Sequence, residues 1–325
     1  MKVFFRVVLI TLLLGAFSGI SAAEYPKKPI TLVAPYGPGG ASDIAARALA
    51  SVTPKYIDEP VIVVNKTGAG GVTGSTYVAK GKKDGYTLLL ARIGCNSVVP
   101  ALNKTIPYKW DDFTFLGLLE LNPVVFTVRA DSPYTTVDEL GAALKANPGK
   151  MSYSSSGPMT VQNMGSQMFL DIIGLDTDGA AGIPYKGGGG AKTALLGGHV
   201  DFLITNLSEV FDQIQAGKLR GLAVTTPERC DTIPNVPTVR EIGYPGLEKV
   251  IGWSGLWGPP GLPQDIIDFW TTALQKVKTD DDWNKLTLNI GSVPYILSGE
   301  DTKRFVKDQY ENYNSLGKKL GLIIE

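Results

Sequence analysis

The sequence predicts an α/β protein built as two units with a cleft between them, and three observations carry that prediction. Short apolar segments alternate with amphipathic ones along most of the chain. Glycine-rich turns sit where the apolar segments hand over to the amphipathic ones. Near Val124 to Val128 the whole pattern starts again. A chain of 325 residues is also long enough to form two domains and bury roughly three quarters of its unfolded surface.

Taken in order, Ile30 to Ala34 is a strand of the fully buried type, followed by the turn Pro35-Tyr36-Gly37-Pro38-Gly39-Gly40. Ser42 and Asp43 open a helix whose apolar residues Ile44, Ala48, Leu49 and Val52 share one face. Val61 to Val64 is a second strand, ending in Asn65-Lys66-Thr67-Gly68-Ala69-Gly70-Gly71 before another helix. Asp84-Gly85 turns into a third strand, Tyr86 to Ala91. After Val124 to Val128, a helix is expected over 137–146, a strand over 151–154, and a helix over 160–173 with Met164, Met168, Phe169 and Ile172 inward. Ala180 to Tyr185 is a strand leading into the turn Gly187 to Gly190 and a helix ending at Gly197-Gly198. Strands at 200–205 and 219–225 follow, then a proline-marked stretch from Pro227 to Pro263 that reads as irregular, and amphipathic helices close the chain. Alternation of this kind argues for layered helices over a mostly parallel sheet.

Composition removes several functional classes. Hydrophobic residues make up 44% and charged residues 19%, with Lys+Arg and Asp+Glu both at 31. Such a balance does not suit a nucleic-acid binder or a disordered acidic tail, and two cysteines do not make a disulfide scaffold. At the start, Lys2 and Arg6 lead an apolar run from Val7, and Ser21-Ala22-Ala23 supplies a small-residue exit. This reads as a secretory signal over residues 1–23 that is removed on export. An uncleaved membrane anchor is the alternative, which the glycines and serines of the stretch disfavour. Removing Lys2 and Arg6 leaves 29 basic residues of the 31 against 31 acidic ones, so net charge offers an anion no long-range attraction. In an oxidising compartment a Cys95–Cys230 bridge is open, although nothing in the spacing requires it.

The glycines carry the functional signal. Gly37 to Gly40, Gly68 to Gly71, Gly187 to Gly190 and Ser154-Ser155-Ser156-Gly157 each lie between a strand and a helix. In open α/β sheets, ligands bind at that edge, where helix N-termini offer unpaired N–H groups and partial positive charge. Glycine lets backbone approach a ligand, and serine adds hydroxyl donors. Enzymatic signals are thin: there is no GxGxxG, phosphate loop, GxSxG elbow or DxDxDG loop. His199 is the lone histidine and reads as structural. Asp43 sits where it caps the first helix. Arg92 follows a strand and is either a two-point carboxylate contact in the cleft, or else a surface arginine or the partner of a nearby acid.

Tyr25-Pro26-Lys27-Lys28-Pro29-Ile30 and Pro35 to Asp43 resemble the opening of the Bug-type solute receptors, the extracytoplasmic binding proteins of tripartite tricarboxylate transporters. The likeness continues through 65–71, Asp84 to Leu89, Tyr153 to Gly157, Pro184 to Gly188, Leu196 to Asp201, Leu219 to Val224 and Pro234 to Val239. It implies a type II, Venus-flytrap periplasmic-binding-protein architecture with a mixed sheet in each lobe. Lobe 1 would comprise 24–124 and 226–325 and lobe 2 125–225, with hinge strands near Val125 and Leu222. It also implies a monomeric periplasmic receptor, without metal or cofactor, that closes on a small carboxylate and hands it to membrane permease subunits. Carried over residue by residue, the contacts are Tyr36, Gly39, Gly40, Ala41, Ser42 and Gly70 from one lobe. The other supplies Ser155, Ser156, Gly157, Thr160, Tyr185, Gly188 and Asn206. Asn163 and Arg92 depart from the family pattern. If Arg92 faces the cleft, a di- or tricarboxylate is favoured. An exported α/β enzyme acting on a phosphorylated or acyl substrate is the competing reading, and a scaffold domain is a third.

Overall fold

The computed structural model describes residues 25–325, so the expected processing segment at 1–23 lies outside the described residues. The chain opens with β1 (Ile30–Ala34), α1 (Ala41–Val52), β2 (Val61–Asn65), α2 (Val72–Ala79), β3 (Thr87–Arg92), the short α3 (Val99–Leu102) and β4 (Thr114–Asn122). Beyond Pro123 come β5 (Val124–Arg129), α4 (Val137–Ala146), β6 (Ser152–Ser155), α5 (Val161–Ile172), β7 (Ala181–Pro184), α6 (Gly188–Leu196), β8 (Leu203–Asn206), α7 (Leu207–Gln215) and β9 (Leu219–Val224). The last part holds β10 (Gly252–Gly258), α8 (Gln264–Lys278), α9 (Asp281–Asn289), β11 (Val293–Leu297) and α10 (Gly299–Leu320).

Two lobes result, each with a mixed sheet. The first is six-stranded in the order β11-β4-β10-β3-β1-β2. β1 pairs parallel with β2 and β3, so Val33 lies between Val64 and Leu89, whereas β10 runs antiparallel to both β3 and β4. In the second lobe β5 lies antiparallel between β8 and β9, and the parallel pair β6-β7 joins through a Tyr153–Phe202 bridge. The expected parallel character therefore holds for β1, β2, β3, β6 and β7. The antiparallel pairings of β4, β5, β10 and β11 break it, and of these four the sequence pattern had marked only β5.

β10 explains why. Gly252-Trp253-Ser254-Gly255-Leu256-Trp257-Gly258 is buried along its whole length, so it shows no alternation and carries three of the glycines that usually argue against a strand. Trp253 and Trp257 fill the space beside it, ring centroids 5.6 Å apart. In α5, Ile172 is exposed rather than inward, while Met164, Met168 and Phe169 are buried as expected.

Residues 226–250, expected with the first lobe, pack on the second sheet instead. Across a parallel Val224–Thr238 bridge the Val224 N–H donates to the Pro237 carbonyl and the Val239 N–H donates to the Val224 carbonyl, the Tyr244 hydroxyl donates to Asp138, and Leu247 joins the buried cluster around Phe126 and Phe169. The chain crosses between sheets at Pro123 and again at 251. Leu222, expected near a hinge, sits in the middle of β9. No helix among the described residues is long and apolar enough to cross a membrane. Cys95 is buried in the first lobe and Cys230 half-buried on the second, each a free thiol, so the open disulfide option is not taken up.

The starts of α4, α9 and α10 are capped by side chains. Thr136 and Glu139 form a reciprocal capping box on α4. Asp280 caps α9 through the Trp283 N–H at 2.8 Å and also accepts from Lys55 and Tyr56. Burial pushes this carboxyl up, but those three donors outweigh it and leave its pKa at about 2. A depressed folded-state pKa contributes stability above the unfolded value and loses it as pH falls toward 2. Asp280→Ala should therefore lower the melting temperature at pH 7 by about 2–5 °C, with the gap to the parent chain closing between pH 4 and 2 in a melting series.

Candidate functional site

Three helices begin at the space between the lobes with no side chain capping them. α1 is preceded by Gly40, α6 by Gly187 and α7 by Asn206, and none of these makes a side-chain cap bond. The first N–H of α1, on Ala41, is met by Glu209 from the other lobe and that of α7, on Leu207, by the Pro123 carbonyl, so what these starts offer a ligand is their partial positive charge and the N–H groups that follow. α5 differs, since Thr160 caps it by accepting the Asn163 N–H, while its own hydroxyl donates to Gly157 at 2.8 Å. Gly188, Gly189 and Gly190 lie in the first turn of α6 rather than in a loop before it.

Asp43, a candidate cap, points backward along its own turn. Its carboxylate accepts the Gly39 N–H at 3.1 Å and is clamped by Arg47 and Asn65. Burial alone would raise its pKa, but Arg47, Gly39 and Asn65 prevail and hold it below the ordinary range. It fixes the shape of the Gly37–Gly40 bend and leaves the helix end free.

The two glycine turns meet across the cleft. A Cβ on Gly187 would stand 2.8 Å from the Gly37 nitrogen, one on Gly189 2.6 Å from the Pro38 oxygen, and one on Gly40 3.2 Å from the Gly188 nitrogen. Backbone touches backbone here, and only glycine permits it. Behind this contact is a small cavity of about 20 Å³, the room of a single water. Of the residues expected at the site, Tyr36, Ala41, Ser42, Arg92, Ser156, Thr160, Gly188 and Asn206 line it. Gly70, Gly157 and Tyr185 face an adjoining open groove of about 610 Å³, which Tyr36 and Ser156 also border. Gly39 is exposed on the outer rim, and Ser155 is buried with its hydroxyl turned to Gly157. Asn163 turns away from the cavity to the Tyr153 hydroxyl at 3.0 Å. His199 is exposed on the surface.

Two polar atoms on the cavity wall have no partner: Ser42 Oγ and Asn206 Oδ1, on residues 2% and 3% exposed. Native interiors rarely leave such groups unsatisfied; the Asn206 oxygen lies against Gly252, where a Cβ would come within 1.9 Å of it. Tyr36 is held in place by its hydroxyl, which donates to the Gly70 carbonyl at 2.8 Å.

Sheet register accounts for Arg92. Arg92, Ser254 and Glu120 lie side by side on β3, β10 and β4. Arg92 bonds Ser254 and stands 3.5 Å from Glu120, and Ser254 donates to Glu120 at 2.7 Å. The pairing with a nearby acid is therefore present, and the arginine, buried rather than at the surface, also borders the cavity. Burial pushes the Glu120 carboxyl up in pKa, opposed by Arg92, Ser254 and Asn122. The row continues through Asn122 to Ser208 at the start of α7, so a chain of buried polar groups crosses from one lobe to the other.

Glu209 lines the cavity and escaped the sequence reading. At 4% exposure it accepts the Ala41 N–H at 2.9 Å, reaching from α7 to the uncapped end of α1. Its other oxygen accepts from Gln162 and Thr205. In the sequence it is an acidic residue in a first helical turn, the commonest place for one, and nothing local separates it from a solvated neighbour. Ile93, Gly94 and Val161 complete the wall.

The profile of the Tripartite tricarboxylate transporter family receptor matches residues 45–322 of this chain. The chain belongs to that family. The receptor is also similar to the periplasmic binding protein BugD, with 33% identity and a TM-score of 0.87 over 93% of this chain and 100% of the other. It resembles MatC of Rhodopseudomonas palustris with bound malate at 25% identity, TM-score 0.84, covering 90% and 99%. A second R. palustris protein, with adipate, gives 27% identity and 0.87, covering 92% and 99%. The receptor thus joins a group of binding proteins with the two-lobed architecture described above.

Breaking the buried Arg92–Glu120 pair from one side leaves a stranded charge, so Arg92→Ala should cost about 3–5 kcal/mol in urea unfolding. Replacing both residues by methionine should restore most of that loss. A Cβ on Gly188 would fall 1.9 Å from Glu209 Oε1. Gly188→Ala should destabilise by about 1–3 kcal/mol, and a double-mutant cycle with Glu209→Ser should show that the two effects are coupled rather than additive.

Proposed function

We propose that this receptor is exported to the periplasm, where it captures a small organic acid between its lobes and delivers it to the permease subunits of a tripartite transporter. The observation that carries the reading is the meeting of three uncapped helix starts at one cavity whose wall holds the orphaned Ser42 and Asn206 oxygens. A carboxylate seated there takes the N–H groups of α1 and the hydroxyl of Ser42, while the other lobe offers Thr160, Ser156 and the N-terminus of α6. Gly39, Gly40, Gly70, Gly157 and Tyr185 shape the approach, and Ser155 supports the second-lobe turn.

A dicarboxylate is the favoured class. Malate and adipate, the acids held by two similar proteins, each have two carboxyl groups, and Arg92 is the cation at the cavity wall. The distal carboxylate is assigned to Arg92, sharing it with Glu120. The cavity of about 20 Å³ admits no such ligand while the turns touch, so entry requires the lobes to part. We place the lobes at 25–123 with 251–325 and at 124–250, hinged where the chain crosses at Pro123 and 251. The receptor acts as a monomer, and residues 1–23 are its removable export signal.

The test is melting of the mature chain with a panel of mono-, di- and tricarboxylic acids. One diacid should raise the melting temperature saturably and be recovered unchanged; at a hundredfold excess over Kd this corresponds to about 2.7 kcal/mol. If no acid shifts the melt, the proposal fails; chemical conversion of the acid would favour the enzyme reading.

A further inference from the structure

We propose that Glu209 sets the ligand specificity of this receptor by requiring a hydrogen-bond donor, a hydroxyl or an ammonium, on the carbon next to the seated carboxylate. The inference rests on the carboxylate reading above and names a narrower ligand class within it.

The two oxygens of Glu209 have different attachments. Oε2 is held inside its own lobe by Gln162 Nε2 and the Thr205 hydroxyl, and Gln162 also donates to Thr205 at 2.7 Å. This triangle fixes the carboxylate on α5, β8 and α7, so it stays in place when the lobes separate. Oε1 has a single partner, the Ala41 N–H across the cleft at 2.9 Å. That N–H belongs to the uncapped end of α1, the seat of the incoming carboxylate.

A ligand carboxylate that takes the Ala41 N–H therefore strips Oε1 of its only partner. An ionised carboxylate is acceptor-only, and a buried acceptor left unmatched is costly. Among the described residues no arginine or lysine pairs with Glu209: its partners are a backbone N–H, an amide and a hydroxyl. Arg92, the cation on the same wall, is engaged by Glu120 and Ser254. A ligand with only carboxylates brings a second anion against Glu209 and gives Oε1 nothing. A donor on the adjacent carbon turns the same contact into a charge-assisted hydrogen bond. Sites built to bond a ligand OH or NH reject the analogue that lacks it, because their own group is then left unpaired.

Succinate, L-malate and L-aspartate share one four-carbon diacid frame and differ at one carbon in carrying H, OH or an ammonium. Calorimetric titration of the mature chain should find malate or aspartate bound about tenfold or more tightly than succinate. In Glu209→Gln, which keeps the side-chain shape, succinate should gain and the ratio should fall toward one. Equal affinities in the parent chain overturn the proposal without any variant, as does a ratio that survives in a folded Glu209→Gln. If those three acids do not bind, the same comparison is made between α-substituted and unsubstituted members of any acid that does. Binding without that preference defeats only the role of Glu209. No binding by any carboxylic acid defeats the carboxylate reading and this inference together.

Discussion

A negatively charged group at the bare start of α1 is the requirement around which both lobes are arranged. With Gly40 as its cap residue, that helix end has no oxygen of its own to satisfy it. Asp43, the nearest carboxylate in sequence, is turned back to Gly39 and clamped by Arg47 and Asn65. The demand is met instead from the other lobe, by Glu209 on α7. One hydrogen bond thus ties the two lobes together through residues 168 positions apart in the chain. Its strength depends on exclusion of water, which the small cavity provides.

That exclusion depends in turn on how near the two glycine turns can come. Side chains on Gly40, Gly187 or Gly189 would press on the backbone of the opposite turn and hold the lobes apart. Glycine is used at these turns for contact between backbones more than for unusual dihedral angles: Gly187 is extended and Gly188 is helical. Below the contact, the row of Arg92, Ser254, Glu120, Asn122 and Ser208 shows a second way of joining lobes, through buried polar groups satisfied mainly by one another. Such rows add little net stability, yet they are intolerant of partial removal, which suits a surface that has to close in one register.

Much of this was legible in the residues. The alternation that defines β1, α1, β3, α4 and α5 is local, as is the placing of glycines between strands and helices, so the edge of the sheet that holds the site could be located. Eight of the expected contacts line the cavity because the first turn of a helix after a parallel strand has few places to go. What could not be read is set by pairing between distant segments. β10 looks like a loop because a strand buried on both faces has no period, and glycine there answers to Asn206, a residue of the other lobe. Arg92 faces Glu120 only through the register of β10 against β3 and β4. Glu209 has its meaning from Ala41, far away in the chain, and alone it is one acidic residue among 31. The packing of 226–250 on the second sheet is hidden for a similar reason: prolines announce irregular backbone but not which neighbour it leans on.

β4 and β10 are neighbours in the first sheet, and each is continuous with one of the two passages to the second. They also carry Glu120 and Ser254, which form the floor beneath Arg92. The strands that carry the buried acid and its serine are thus the same ones that lead into the two crossings, and a change in packing at Glu120 or Ser254 is felt directly where the chain passes between the sheets.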